Sequence, residues 1–246
     1  MLASTVFRYG LWTAVLSTAL RNRKEYGVPT AWLTHLAGNS VTLFLPDALR
    51  ALAPLHDQLP SALRPFVRTI MRRVADDPLY AVYAAPLALG FIASHPDYSI
   101  YHGRWAERTI FGFGADSIPH STAAYGLARL TSEMVLTLHD ELPREHPLAQ
   151  PAALAAQHVD TLAALAVAAV TLLWEVAEYW AHYAEVEATG RDPSEVNMQW
   201  SLPDSITDSI ANVAGLAVAI AVRRNQHKPM QAAVESALGR TVHANM

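Results

Sequence analysis

Long stretches without a charged side chain constrain this chain more than any other feature of its sequence. Asp, Glu, Lys and Arg are missing from residues 27–46, 79–96, 161–174 and 210–222. Several of these stretches approach the roughly 20 apolar residues that a helix needs to cross a bilayer. Charged residues make up 16% of the chain, against about 25% in an average soluble domain. The pattern favours a membrane protein, and a soluble bundle with buried helices stays open because polar residues interrupt the stretches.

The hydrophobic residues recur at helical spacing, and neither a strand pattern nor an internal repeat is visible. Asp116 and the proline that follows it are typical of a helix start, so a helix is predicted from Asp116 to about Leu138. Two further long helices are predicted over residues 152–184 and 204–224. We therefore expect an all-α fold, a polytopic helical bundle with four to five long apolar helices embedded in the membrane.

The sequence divides into three segments. Residues 1–77 combine one apolar helix with a basic amphipathic segment, which suits either an anionic membrane surface or a solvated loop and helix. Residues 78–224 form the core of the bundle, and residues 225–246 form a polar tail. Arg223 and Arg224 place the C-terminus in the cytoplasm by the positive-inside rule, and the opposite end of the last helix then faces outward.

Composition also excludes several classes of function. The chain has no cysteine, so it forms no disulfide and offers no thiolate to a metal or a substrate. Its net charge of -4 argues against a nucleic-acid partner, since such proteins carry a basic face. No nucleotide-binding or flavin-binding motif is present.

Polar residues inside the apolar segments, all of them ionisable except one asparagine, form three sets. The spacing within each set places its members on one helix face. The sets are Glu175, Glu178 and His182 in one helix, Asp204, Asp208 and Asn212 in the last helix, and Asp116 with His120 at the start of another. Neighbouring carboxylates repel unless a cation or a shared proton lies between them. If the three helices run alternately up, down and up, all three sets meet at one end of the bundle.

We therefore predict a site for one or two divalent cations, with Mn, Fe, Zn, Mg and Ca all compatible with oxygen and imidazole ligands. The predicted ligands are His120, Glu175, Glu178, His182, Asp204 and Asp208. Asp116 and Asn212 would support them, and Glu175 and Asp208 are the catalytic candidates. Three alternatives stay open: Asp204 as a helix cap, Glu178 with His182 as a structural pair, and His120 as a core histidine.

The order of these motifs resembles that of the VanZ-like and YjdF-type small bacterial membrane proteins, over about residues 78–224. The resemblance is carried by Asp116 and His120, by Trp174-Glu175 with Glu178-Tyr179-Trp180, by Gln199-Trp200, and by Asp204, Asp208, Asn212 and Gly215. It implies a polytopic protein of the bacterial inner membrane whose biochemical activity is largely undefined.

Two functions follow from the residues as hypotheses. The first is a membrane-embedded, metal-dependent hydrolase for a lipid-linked or envelope substrate, with water as the nucleophile and a carboxylate as the base. The second is a non-enzymatic accessory protein or a proton- or cation-linked transporter. A soluble metal-binding bundle is the third alternative. The lipid bilayer is the expected partner in the first two.

Overall fold

The computed structural model describes residues 2–101, 105, 108–110 and 112–243, with side chains through residue 226. Within these residues the chain is all-α, as predicted, apart from one isolated bridge between Ile110 and Phe113. The eight α-helices are α1 (Leu2–Tyr26), α2 (Leu33–Leu52), α3 (Arg64–Ile70), α4 (Leu79–Ile92), α5 (Ser117–Glu141), α6 (Ala149–Gln157), α7 (Val159–Thr189) and α8 (Leu202–His243). Short 3₁₀ turns at Pro29–Ala31 and Ala53–Gln58 and a π turn at Met71–Ala75 lie between the first four helices.

The central helix is α5, which packs against α3, α4, α6, α7 and α8. Glycines allow two of these contacts to be very close. A Cβ atom at Gly126 would collide with the backbone of Tyr83 in α4, and one at Gly215 in α8 would collide with the carbonyl group of Ser121 in α5. The backbones of α5 and α8 therefore touch near the start of α5.

Two apolar clusters hold the bundle together. The first joins α1, α2 and α4 and contains Leu11, Val15, Ala19, Leu43, Ala85, Ala88 and Phe91. The second joins α5, α7 and α8 and contains Ala124, Ala128, Ala163, Val167 and Ala219. Because the second cluster consists mostly of alanine, these three helices approach one another closely.

The two long C-terminal helices, α7 and α8, run antiparallel. Asp160 near the start of α7 accepts hydrogen bonds from Arg223 at 2.6 Å and from Arg224 at 2.9 Å in α8. Further along, the side-chain amide of Asn212 donates to the hydroxyl of Thr171 at 3.0 Å. The up, down and up order assumed for α5, α7 and α8 is the observed one.

Only α7 and α8, among the described helices, are long and apolar enough to cross a membrane. The predicted four to five apolar helices are therefore not confirmed. The charge-free stretch at 27–46 is divided between a 3₁₀ turn and α2, and the stretch at 79–96 forms only the 14 residues of α4 before turns begin. A charge-free stretch thus need not form one continuous helix.

The predicted helix ends differ from the observed ones in three places. The helix predicted over 152–184 is in fact two helices, because the backbone leaves the helical conformation at His158 (φ -107°, ψ 26°). The second of them, α7, continues to Thr189, where Gly190 ends it with a left-handed φ of 63°. Helix α8 continues beyond residue 224 to His243, and residues 244–246 of the predicted polar tail lie outside the described part.

Much of the surface of α7 and α8 is apolar and exposed. In α7, Leu165, Leu172, Leu173 and Trp180 are each more than 60% exposed. Helix α8 continues this surface with Leu202, Ile206, Ile210, Val213 and Val218. Many exposed large apolar side chains on two neighbouring helices are the pattern expected of a surface that lipid or another protein covers.

A buried ion pair fixes α1 against α2. Arg8 is only 1% exposed, and its guanidinium donates to the Asp47 carboxylate at 2.7 Å and to the carbonyl of Leu43. Arg50 adds a second contact to Asp47 at 3.3 Å. The hydrogen bond from Arg8 holds the pKa of Asp47 below its ordinary value of 3.8.

This pair predicts a specific loss of stability in acid. Because the pKa of Asp47 is lower in the folded than in the unfolded chain, its contribution is complete above the unfolded pKa and disappears as the pH falls through the folded pKa. We expect Asp47→Asn to lower the free energy of unfolding by about 3 kcal/mol near neutral pH, because Arg8 stays buried without its anion. Denaturant titrations in detergent between about pH 7 and pH 3 should show a smaller acid loss in this variant than in the wild type.

Asp140→Asn is the control, since the Asp140 side chain, near the end of α5, is exposed. Its unfolding free energy should follow that of the wild type at every pH. An Asp47→Asn variant with the wild-type stability would contradict the structural role given to the pair.

Candidate functional site

Three helix ends meet at one end of a cavity of about 820 Å³. The start of α5, the C-terminal part of α7 and the start of α8 contribute its polar residues, which are Asp116, His120, Glu178, His182, Asp204, Asp208 and Asn212. The helix directions explain this meeting point, because α5 and α8 begin where α7 ends. The acidic cluster expected from alternating helix directions is therefore present in the structure.

The carboxylates of this cluster form two groups that can each surround one cation. In one group, single oxygen atoms of Asp116, Asp204 and Asp208 lie within 4.8 Å of one another. In the other, the same is true of Glu175, Glu178 and Asp208. Asp208 belongs to both groups and therefore lies at the centre of the site.

Asp208 is almost completely buried, with 3% of its surface exposed. Its Oδ2 atom lies 3.2 Å from Nε2 of His120, and its Oδ1 atom has no hydrogen-bond partner within the described residues. Burial lowers the pKa of His120 from its ordinary value of 6.5. Burial thus favours the neutral imidazole form of His120, the form that binds metals.

The cluster has no compensating positive charge in the part of the chain that the structure describes. No lysine or arginine there forms an ion pair with any of the five carboxylates, and both oxygens of Glu175 are buried without a hydrogen-bond partner. Burying a carboxylate without a partner is costly, and a bound cation removes that cost. The chemistry of this set, mostly carboxylate oxygen with one imidazole, suits a hard or borderline divalent ion.

The helix caps at the site show which acidic residues are free for another role. An oxygen of Asp116 accepts a hydrogen bond from the backbone N–H of Ser117 at 2.8 Å and caps α5. At the start of α8, the hydroxyl of Ser201 accepts from the backbone N–H of Asp204 at 3.3 Å. Ser201, rather than Asp204, therefore acts as the cap, and the Asp204 carboxylate faces its acidic neighbours.

Three predicted site residues line the cavity outside both acidic groups, and one of them, His120, contacts Asp208 as described above; the other two are His182 and Asn212. The Nδ1 atom of His182 lies 2.9 Å from the carbonyl oxygen of Met198, so His182 positions the α7–α8 loop. Asn212 donates its hydrogen bond to Thr171 across the α7–α8 contact. Neither belongs to the two oxygen-rich groups, and the prediction of His182 as a ligand gains no support from its position.

The loop between α7 and α8 covers the acidic end of the cavity. Glu185, which is 1% exposed, accepts hydrogen bonds from the hydroxyl of Thr30 at 2.7 Å and from the backbone N–H of Met198 at 3.2 Å. This buried carboxylate has partners on two sides and fixes the loop. The loop residues that line the cavity are Pro193, Ser194, Asn197, Met198, Gln199, Trp200 and Ser201.

Two residues that the sequence did not assign to the site also line the cavity. Tyr101 donates a hydrogen bond to the carbonyl of Gly90 at 3.2 Å, and burial raises its pKa. His35 stacks on Phe91 with ring centroids 4.8 Å apart, and burial lowers its pKa to about 4. Tyr101 lies in an irregular segment, where no periodic pattern predicts which way a side chain points. His35 shares a helix face only with Asn39, so nothing in the sequence linked it to the acidic residues.

Away from the carboxylates, the cavity wall is largely apolar. Leu87 and Phe91 from α4, Leu127 and Leu130 from α5, and Val170 from α7 form this part of the wall. The cavity therefore has an acidic end and an apolar remainder, and a molecule that fills it must itself combine polar and apolar parts.

Comparison with family models, curated proteins and solved structures finds no match to this chain.

The orphaned carboxylate of Glu175 predicts an unusual response to mutation. In cation-free protein, Glu175→Met should raise the free energy of unfolding by about 1–3 kcal/mol, because it removes a buried polar group that lacks a partner. The matched control is Glu185→Met on the same helix, which removes an acceptor from two donors and should lower stability by a similar amount. Denaturant titrations in detergent with excess EDTA compare the two. A loss of stability in both variants would contradict the assignment of Glu175 to a binding role.

Proposed function

We propose that this chain is an integral membrane protein of the bacterial inner membrane in which α7 and α8 cross the bilayer. Between Asp160 and Trp180, α7 rises about 30 Å, which matches the hydrocarbon core of a bilayer. The exposed Trp180 and Tyr183 lie at one end of this span, where interfacial aromatic residues are expected. Arg223 and Arg224 lie at the other end, which places the C-terminus in the cytoplasm and the acidic cluster at the outer face.

The absence of native cysteine allows a direct test of this topology. Glu195→Cys lies in the loop at the acidic end, and Gln226→Cys lies beyond the arginines; both positions are exposed. In intact spheroplasts, a membrane-impermeant maleimide should label Glu195→Cys alone, and both variants should react after lysis. Labelling of Gln226→Cys in intact cells would reverse the orientation. Extraction of the protein from membranes by alkaline carbonate would contradict the membrane-spanning role.

We propose further that the acidic cluster is the site of a metal-dependent hydrolase. The observation that carries this proposal is the set of five buried or half-buried carboxylates without a lysine or arginine partner in the described residues, four of which line the polar end of a substrate-sized cavity. Asp116, Glu175, Glu178, Asp204 and Asp208 would hold the cation, and His120 would orient Asp208. A divalent cation lowers the pKa of a coordinated water and so supplies a nucleophile near neutral pH.

Glu175 and Asp208 are the proposed catalytic residues of this site. Each has carboxylate oxygen that accepts no hydrogen bond within the described residues, so each can accept a proton from a water molecule beside it. Asp208 lines the cavity together with Tyr101 and His35, which would exclude bulk water from it, whereas Glu175 is not among the lining residues and would act through the cation that it shares with Asp208. Membership in the VanZ-like and YjdF-type group is part of this proposal.

The form of the cavity favours a lipid-linked or otherwise amphiphilic substrate. A polar head group would lie at the carboxylates, and an apolar chain would lie against Leu87, Leu127 and Leu130. The exposed apolar surface of α7 beside the cavity would allow such a substrate to enter from the bilayer.

The position of the polar residues favours this enzyme over a transporter. Beyond the hydrogen bond between Asn212 and Thr171, α5, α7 and α8 meet in the apolar cluster of Ala124, Ala128, Ala163, Val167 and Ala219, against which Tyr125, Leu127 and Leu216 pack. A transporter needs a polar path through the bundle, whereas these residues close the site at one end.

Hydrolysis of model amphiphiles tests the proposal. Detergent-solubilised protein is treated with EDTA, supplied with Mn²⁺, Zn²⁺ or Mg²⁺, and incubated with p-nitrophenyl esters and alkyl phosphates of increasing chain length. We expect turnover only with cation present, an increase with chain length, and a loss of at least about a hundredfold in Asp208→Asn. Asp140→Asn, an exposed change near the end of α5, should retain the activity. Tight cation binding without turnover of any compound would support the accessory or transport role instead.

A further inference from the structure

The two carboxylate groups of the acidic cluster share one residue. Asp116 and Asp204, at the starts of α5 and α8, form one group with Asp208, and Glu175 and Glu178, in α7, form the other group with it. Each group brings three oxygen atoms within 4.8 Å of one another. Three helices thus present two adjacent sets of ligands around a single central carboxylate.

Asp208 provides a second observation, independent of the clustering, that indicates a bound cation. It is 3% exposed, it belongs to both groups, and its Oδ1 atom has no partner within the described residues. Its other oxygen, Oδ2, contacts Nε2 of His120 at 3.2 Å. A contact of this kind fixes the orientation of a carboxylate ligand from its outer side.

The amount of negative charge indicates how many cations the cluster needs. With all five carboxylates ionised, one divalent ion would leave three negative charges uncompensated, and two would leave one. Within the described residues no lysine or arginine contributes to this balance through an ion pair. Two divalent cations therefore compensate the fully ionised cluster to within one charge, and protons shared between the carboxylates are the alternative that the cation-binding experiment distinguishes.

We infer that Asp208 is a shared ligand of a two-cation centre, with Asp116 and Asp204 completing one position and Glu175 and Glu178 the other. The inference rests on the proposed metal-dependent function and adds the number of ions and the residues of each position. Centres with two adjacent ions place the attacking and leaving oxygens of a displacement on different cations. The arrangement is thus suited to hydrolysis of an ester or a phosphoester.

Mn²⁺ is the probe, because its amount and its magnetic coupling can both be measured. EDTA-treated wild-type protein in detergent is loaded with Mn²⁺, separated from free ion and examined by elemental analysis and electron paramagnetic resonance. We expect about two equivalents per chain and the spectrum of a coupled pair. Asp116→Asn and Glu175→Gln should each retain about one equivalent without coupling, and Asp208→Asn should lose both ions.

Asp116→Asn preserves the cap of α5, since asparagine caps helices as well as aspartate does. Asp140→Asn, an exposed change near the end of α5, is the control and should retain both ions and the coupling. The spectrum of the wild type tests the shared ligand even if a variant fails to fold. One equivalent, or two without coupling, would overturn the two-cation centre and leave the proposed hydrolase standing. If folded wild-type protein binds neither Mn²⁺ nor, in the same experiment, Zn²⁺ or Mg²⁺, both the two-cation centre and the proposed hydrolase are contradicted.

Discussion

The close contact between α5 and α8 is the constraint on which the site depends. Gly215 lies against the carbonyl of Ser121 at a distance that no Cβ atom would permit. Helices with ordinary side chains at their contact lie about 8–10 Å apart, and the glycine brings these two closer. The contact sets His120 against Asp208 and brings Asp116 near Asp204.

The protein buries charge in two contrasting ways. Arg8, Asp47 and Glu185 are buried or partly buried with partners of matching chemistry, so they stabilise contacts between distant segments. Asp208 and Glu175 are buried with oxygen atoms that accept no hydrogen bond within the described residues. Such groups destabilise a fold unless something binds to them. Unpartnered buried polar atoms occur elsewhere in the described residues, but the carboxylate oxygens among them belong to Glu175 and Asp208 alone, and this is the physical basis for the proposed role of the acidic end.

The sequence predicted the acidic cluster because its argument needed only helix spacing and helix direction. Residues three or four apart share a face, and antiparallel neighbours bring the end of one helix to the start of the next. The sequence did not predict that His182 would contact the α7–α8 loop, because its partner is the backbone carbonyl of Met198 in an irregular segment. The role of Tyr101 depends in the same way on a segment without periodicity.

The number of helices that could cross a membrane was likewise predictable only in part from the sequence. Charge-free stretches reveal apolar composition, but whether a stretch is one helix depends on local turns, and two of the stretches form shorter helices with turns beside them. The sequence by itself determined the helical class, the start of α5 at Asp116 and the set of acidic residues, since local periodicity and spacing carry that information. Only the tertiary structure decided that Asp208 lies between two groups of oxygen atoms. Distances between helices are set by side-chain volume at contacts that are remote in sequence.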